Sequence, residues 1–122
     1  MKKGLLILSL LAISIFLMEG FQCSSPEKTT AKLALKSGEN QKAKTNIQKE
    51  LAKNPKDVES LFILAAAERN LGEYPEAANT ILEAEKYATK EQAKDINKFK
   101  ADLATNCDEK ARALYNQQAQ NS

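Results

Sequence analysis

This chain contains a sequence repeat with a spacing of 34 residues. Gly38 is followed by Gly72, and Asn106 stands the same distance further on. The same spacing separates Ala43, Ala77 and Ala111, and it also separates Ile47, Ile81 and Tyr115. A fixed period of this size is typical of stacked helical hairpins, because each hairpin buries its apolar face against its neighbours. The period predicts an all-α fold, a short array of about three antiparallel helical hairpins.

The composition agrees with one small helical domain and gives no sign of catalysis. The chain has 122 residues, 6% aromatic residues and no Trp, so Ala, Leu and Ile must form most of the core. A net charge of +2 does not indicate nucleic-acid binding. His is absent, and there is no glycine-rich phosphate loop or cluster of metal ligands. We therefore expect no enzyme activity, no metal, no cofactor and no small-molecule substrate.

The first 22 residues are typical of a secretory signal peptide. Lys2 and Lys3 precede an uncharged, mostly apolar run from Leu5 to Met18, and Glu19 ends the run. A membrane-spanning helix needs about 20 apolar residues, whereas this length suits the apolar region of a signal peptide. The alternative is an uncleaved helix that anchors the chain in a membrane.

Cys23 follows this segment directly and precedes Ser24, Ser25 and Pro26. This order resembles a bacterial lipoprotein signal, although Phe21 and Gln22 are bulkier than that pattern usually has before the cysteine. The resemblance implies that Cys23 becomes the lipidated first residue and that residues 23–26 form a short tether. It also implies an envelope location, on the outer membrane facing the periplasm. The alternative is that the cysteine stands there by chance.

The second cysteine is expected to have no chemical role. With Cys23 lipidated, Cys107 has no other cysteine to pair with, and the chain has no His to activate its thiol. We expect it to be a small residue at a helix boundary.

The repeat domain, residues 27–122, divides in register into units 24–57, 58–91 and 92–122. The middle unit carries the clearest pattern: Leu61, Leu64, Ala65, Gly72, Tyr74, Ala77, Ile81 and Ala84. This pattern resembles a tetratricopeptide repeat, which implies two helices per unit and Ala65 facing Ala77 across the hairpin. Gly38 and Gly72 are expected to end helices in the left-handed conformation, with Asn106 in the same role. Thr89 and Gln92 are expected to form a capping box.

The resemblance also implies a concave surface, lined by the first helix of each hairpin, that binds a protein or peptide. The positions that match contact positions of the family, together with a lysine stripe, are Lys28, Lys32, Lys36, Glu59, Phe62, Arg69, Asn70 and Lys100. The three lysines recur every four residues and share one helix face. They are either a basic stripe for an acidic peptide or anionic lipid headgroups, or simply a solvated face.

These expectations combine into a cell-envelope lipoprotein that acts as a protein–protein interaction module or an accessory assembly scaffold. Its expected partners are an unidentified protein or peptide and, through the lipid anchor, the membrane; nucleic acid is not expected. The alternative is a surface-exposed structural lipoprotein that contacts host or environmental molecules.

Overall fold

A computed structural model describes residues 24–120 and contains five α-helices and no strand within that range. The helices are α1 (Pro26–Lys36), α2 (Asn40–Lys53), α3 (Val58–Asn70), α4 (Tyr74–Tyr87) and α5 (Lys90–Gln120). Helices α1 and α2 form one antiparallel hairpin, and α3 and α4 form the next, so the predicted all-α hairpin array is confirmed. The expected signal peptide and Cys23 lie outside the described residues. None of the helices within residues 24–120 is long and apolar enough to cross a membrane.

The two hairpins turn through the same backbone motif. Gly38 and Gly72 have φ angles of 77° and 79°, as the left-handed prediction requires. The amide of the next residue reaches back to the helix in both turns, from Glu39 to the Ala34 carbonyl and from Glu73 to the Glu68 carbonyl, at 2.9 Å each. This is the Schellman arrangement, in which glycine avoids the Cβ penalty of a left-handed residue.

Side-chain caps define where α3 and α5 begin. The carboxylate of Asp57 accepts a hydrogen bond from the Ser60 amide at 3.2 Å and caps α3. At α5 the Thr89 amide donates to Gln92 Oε1 at 3.0 Å, and the Gln92 amide donates to Thr89 Oγ1 at 3.2 Å. The predicted capping box is therefore confirmed, and it separates α4 from α5 with only two intervening residues.

Small residues occupy the closest contacts between helices. Ala65 and Ala77 are both fully buried and belong to one core cluster with Ile81, as expected for the middle hairpin. In the first hairpin Ala43 and Ile47 are fully buried as well. Because the second helix of each unit carries this Ala and Ile at the same repeat position, both hairpins pack with the same short interhelical contacts.

The third hairpin is not formed, so that prediction is wrong. Residues 90–120 make one helix of 31 residues, and Asn106 lies inside it. Ala111 is exposed, whereas Ala43 and Ala77 at its repeat position are fully buried. The physical reason is local: residues 90–120 contain neither Gly nor Pro, and a left-handed non-glycine residue costs about 1–2 kcal/mol. The array therefore consists of two hairpins and one long helix.

The buried contacts of α5 with the hairpins come from its first half. Ile96, Phe99 and Leu103 are buried in the core that α3 and α4 form. Among the side chains described between residues 104 and 120, none is buried. The buried contacts of α5 therefore end at Leu103, although Lys110 still lies over the Tyr74 ring of α4, 5.1 Å from its centroid.

Candidate binding groove

An open groove with a volume of about 670 Å³ lies between α3 and α5. Its lining side chains recur at three- and four-residue steps on each helix, so they share one face of α3 and one face of α5. They are Val58, Glu59, Phe62, Ile63, Ala66 and Arg69 from α3, and Gln92, Asp95, Ile96, Lys98, Phe99 and Asp102 from α5.

An aromatic pair forms the floor of the groove. The rings of Phe62 and Phe99 meet edge to face, with centroids 5.2 Å apart and planes inclined by 61°. The Arg69 guanidinium lies over the Phe99 ring, 4.7 Å from its centroid. Phe99 is buried, but Phe62 stays partly exposed. The floor thus presents an apolar surface with one fixed positive charge beside it.

The α5 wall of the groove carries charges that have no ion-pair partner within residues 24–120. Asp95 and Asp102 are exposed and stand seven residues apart, two helical turns along the same face. Lys98 lies between them and is also exposed. These side chains remain hydrated in the free chain, so they can pair with charges on a bound partner at little desolvation cost.

The opposite end of the groove is an ion-pair network that joins the two hairpins. Lys28 Nζ lies 2.5 Å from Asp57 Oδ2 and 3.4 Å from Glu59 Oε2, and Lys32 Nζ lies 2.5 Å from Glu59 Oε1. The hydrogen bond from Lys32 holds the pKa of Glu59 below its ordinary value, although partial burial opposes this. Glu59 therefore remains an ionised, paired carboxylate at neutral pH.

The lysine stripe predicted from the sequence is divided between two environments. Burial by itself would lower the pKa of Lys28, but its hydrogen bonds and charge interactions with Asp57 and Glu59 together outweigh burial and raise that pKa. Lys28 and Lys32 thus form ion pairs with Asp57 and Glu59, at the start of the second hairpin. Lys36 is exposed and has no ion pair among the described residues. The stripe as a whole is neither a free basic surface nor a fully solvated face.

Two other predicted residues lie away from the groove. The Asn70 amide donates to Asn40 Oδ1 at 3.1 Å, which directs it towards α2. Lys100 contacts both carboxylate oxygens of Glu85 on α4, at 3.0 and 3.1 Å, from the other side of α5. Of the predicted set, the structure brings Glu59, Phe62 and Arg69 together in the groove.

Sequence reasoning missed three residues on the α5 side of the groove, namely Asp95, Phe99 and Asp102. The available signal was Phe99, a large ring at the repeat position where the other two units have Ala31 and Ala65. This ring is buried in the core and meets Phe62 edge to face.

Within residues 24–120 no group of three or more His, Cys, Asp or Glu side chains is placed to hold a metal ion. No known family model, curated protein or solved structure matches this chain.

Proposed function

We propose that this chain is a lipid-anchored envelope protein of the tetratricopeptide type whose α3–α5 groove binds a segment of another protein. The observation that carries the proposal is the uncovered aromatic floor, where partly exposed Phe62 meets buried Phe99. Binding energy at protein interfaces concentrates on a few apolar or aromatic anchors in such concave sites.

The groove chemistry favours a peptide segment with a large apolar side chain and charges on either side of it. The apolar side chain would lie against the partly exposed ring of Phe62. Asp95, Lys98 and Asp102, which form no ion pair within residues 24–120, would select flanking residues of opposite charge on the partner. The groove is open along its length, which suits an extended or helical segment better than an enclosed small molecule.

The proposed anchor keeps this groove near the membrane. Only residues 24 and 25 separate Cys23 from the start of α1 at Pro26. The three backbone steps from Cys23 to Pro26 reach about 10 Å, so a lipidated Cys23 would hold the first hairpin beside the headgroups. The domain would then meet partners that lie at the membrane surface, as an accessory factor in envelope assembly does.

A photoreactive amino acid at position 98, on the exposed wall of the groove, is expected to cross-link a partner in intact cells. The same reagent at Asn79, exposed on α4 and outside the groove, is the control and should give no such adduct. Adding Phe62→Ala should reduce the adduct by at least about tenfold, because it removes the proposed anchor. Leu33→Ala, which trims a residue that is 61% exposed on α1, should leave the adduct unchanged. Equal adducts from positions 98 and 79 would contradict binding at the groove.

The anchor is tested separately. Cys23→Ala is expected to release the chain from the membrane fraction or to leave an unprocessed precursor, because the lipid acceptor is lost. Cys107→Ala should leave fractionation unchanged. Mass spectrometry of the mature N-terminus provides the direct measurement. A mature chain that begins elsewhere, without lipid on Cys23, would rule out this anchor and leave the groove proposal to its own test.

A further inference from the structure

The second hairpin contains a buried carboxyl group that the groove does not use. Glu68 lies in the last turn of α3 and is 5% exposed. The hydroxyl of Thr80, on α4, donates a hydrogen bond of 2.8 Å to Glu68 Oε2. Within residues 24–120 Glu68 forms no ion pair. A buried carboxylate without a paired cation is costly, because burial removes the water that stabilises its charge.

The charges that face Glu68 from α2 and α4 do not offset this cost. Lys44, on α2, attracts the ionised form of Glu68, but its Nζ lies 2.5 Å from Glu73 Oε2 and pairs with that carboxylate. Glu73, in the turn between α3 and α4, repels the ionised form of Glu68. Glu76, in the first turn of α4, repels it as well. The turn end of the second hairpin therefore holds more negative than positive charge around a buried carboxyl group.

Two further cations near this end of the hairpin are engaged elsewhere. Lys110, on α5, lies over the Tyr74 ring. Arg69 follows Glu68 on α3, but its guanidinium lies over the Phe99 ring of the groove. Neither forms an ion pair with Glu68, so the carboxyl group depends on the Thr80 hydroxyl and on the more distant charge of Lys44.

A second buried glutamate has the opposite response to its surroundings. Glu50, on α2, is 4% exposed, and its interactions with Ser25 and Asn54 hold its pKa below the ordinary 4.5 although burial opposes this. For Glu68 burial is the largest influence and raises the pKa above 4.5, although the Thr80 bond opposes this. Because the two side chains are equally buried, the difference comes from the groups around them.

We propose that Glu68 is an acid-responsive lock, which tightens the turn end of the second hairpin when its carboxyl group takes up a proton. The neutral group carries no buried charge and no longer repels Glu73 and Glu76. The turn itself is linked to this site, because the Glu73 amide donates to the Glu68 carbonyl at 2.9 Å. Arg69 shares the last turn of α3, so the lock also steadies the end of α3 that borders the groove. It acts whether or not a partner occupies the groove.

The experiment compares the full chain, in mild detergent, with Glu68→Gln. A raised folded-state pKa gives stability that is complete below the unfolded pKa, near 4.5, and is lost as pH rises through the folded value. Glutamine keeps an oxygen for Thr80 and carries no charge, so this variant should melt at least about 3 °C above the parent at neutral pH. The difference should shrink as pH falls and be smallest below about pH 4.5.

Glu50→Gln is the matched control, because it makes the same change at an equally buried glutamate. The pKa of Glu50 lies below 4.5, so the difference in melting temperature between this variant and the parent should stay constant from neutral pH to about pH 5.5.

Two measurements read the lock directly. Carboxyl carbon NMR of the parent chain should give a titration midpoint for Glu68 above 4.5. Thr80→Val should move this midpoint higher, because the hydroxyl stabilises the ionised form. Hydrogen exchange of the Glu73 amide, corrected for its intrinsic rate, should slow as pH falls through the midpoint in the parent but not in Glu68→Gln.

A midpoint for Glu68 at or below 4.5 would overturn the proposal. A melting difference between the parent and Glu68→Gln that does not change with pH would overturn it as well. If Glu68→Gln does not fold, the midpoint of Glu68 and the exchange of the Glu73 amide in the parent chain decide the question.

Discussion

Replacing Ile81 with alanine is expected to lower the free energy of unfolding by about 2–5 kcal/mol. Ile81 is 1% exposed and lies in the core cluster that joins α3, α4 and α5. Removing its branched side chain leaves a cavity that the surrounding helices cannot close, because they are positioned by rigid alanine contacts. The same change therefore weakens the second hairpin and the packing of α5 on it.

Urea denaturation followed by helical circular dichroism measures this loss. Leu33→Ala is the control, because Leu33 is a large apolar residue of α1 with 61% of its surface exposed. That substitution should change the free energy of unfolding by less than about 0.5 kcal/mol. If both variants lost the same stability, the repeat positions would not define the core.

Asp57→Ala is expected to cost about 2–4 kcal/mol, because one carboxylate performs two tasks. It caps α3 through the amide and hydroxyl of Ser60, and it pairs with Lys28, whose side chain is only 12% exposed. Without Asp57, the Lys28 ammonium keeps only Glu59, 3.4 Å away. The substitution thus weakens both the start of α3 and the connection between the hairpins.

Asp57→Asn separates these two tasks, because asparagine caps helices about as well as aspartate but carries no charge. It should recover about 1 kcal/mol of the loss in the alanine variant. Thermal melting of the three chains over a range of pH gives the second measurement. Burial alone would raise the pKa of Asp57, but the bonds from Lys28 and Ser60 outweigh it and hold the pKa below the ordinary 3.8.

A carboxyl group with a lowered folded-state pKa stabilises the fold above its unfolded pKa and loses that contribution as pH falls through the folded value. The advantage of the parent chain over Asp57→Asn should therefore be complete at neutral pH and begin to shrink as pH falls through about 3.8. A difference between these two chains that stays constant down to strong acid would show that the ion pair adds no stability.

The predictable part of the fold rests on local chemistry. Gly38, Gly72 and the pair Thr89 and Gln92 act within a few residues of themselves, so their turns and cap follow from sequence spacing alone. The straight helix through Asn106 does not follow from spacing. The repeat position of Asn106 favoured a turn, whereas the absence of Gly and Pro favoured an unbroken helix. The helix continues because a left-handed turn residue other than glycine costs free energy.

The candidate site was predictable only on α3, the helix whose unit keeps the full repeat pattern. The repeat spacing is unbroken along α3, and it places Glu59, Phe62 and Arg69 in the groove. The contribution of α5 depends on how Phe99 packs against Phe62, which is a tertiary contact. The bond between Lys28 and Asp57 joins residues of separate hairpins, and periodicity carries no information about such a pair.

The identical backbone of the two turns has a consequence for how such a chain can lengthen. Ala77 and Ile81 occupy the positions on α4 that Ala43 and Ile47 occupy on α2. The face that receives the next hairpin is therefore nearly the same on the second unit as on the first. A duplicated copy of residues 58–91 would find a matching surface on each side of it. Gene duplication of one segment could thus add a hairpin and extend the concave face, while the anchor and the final helix stayed as they are.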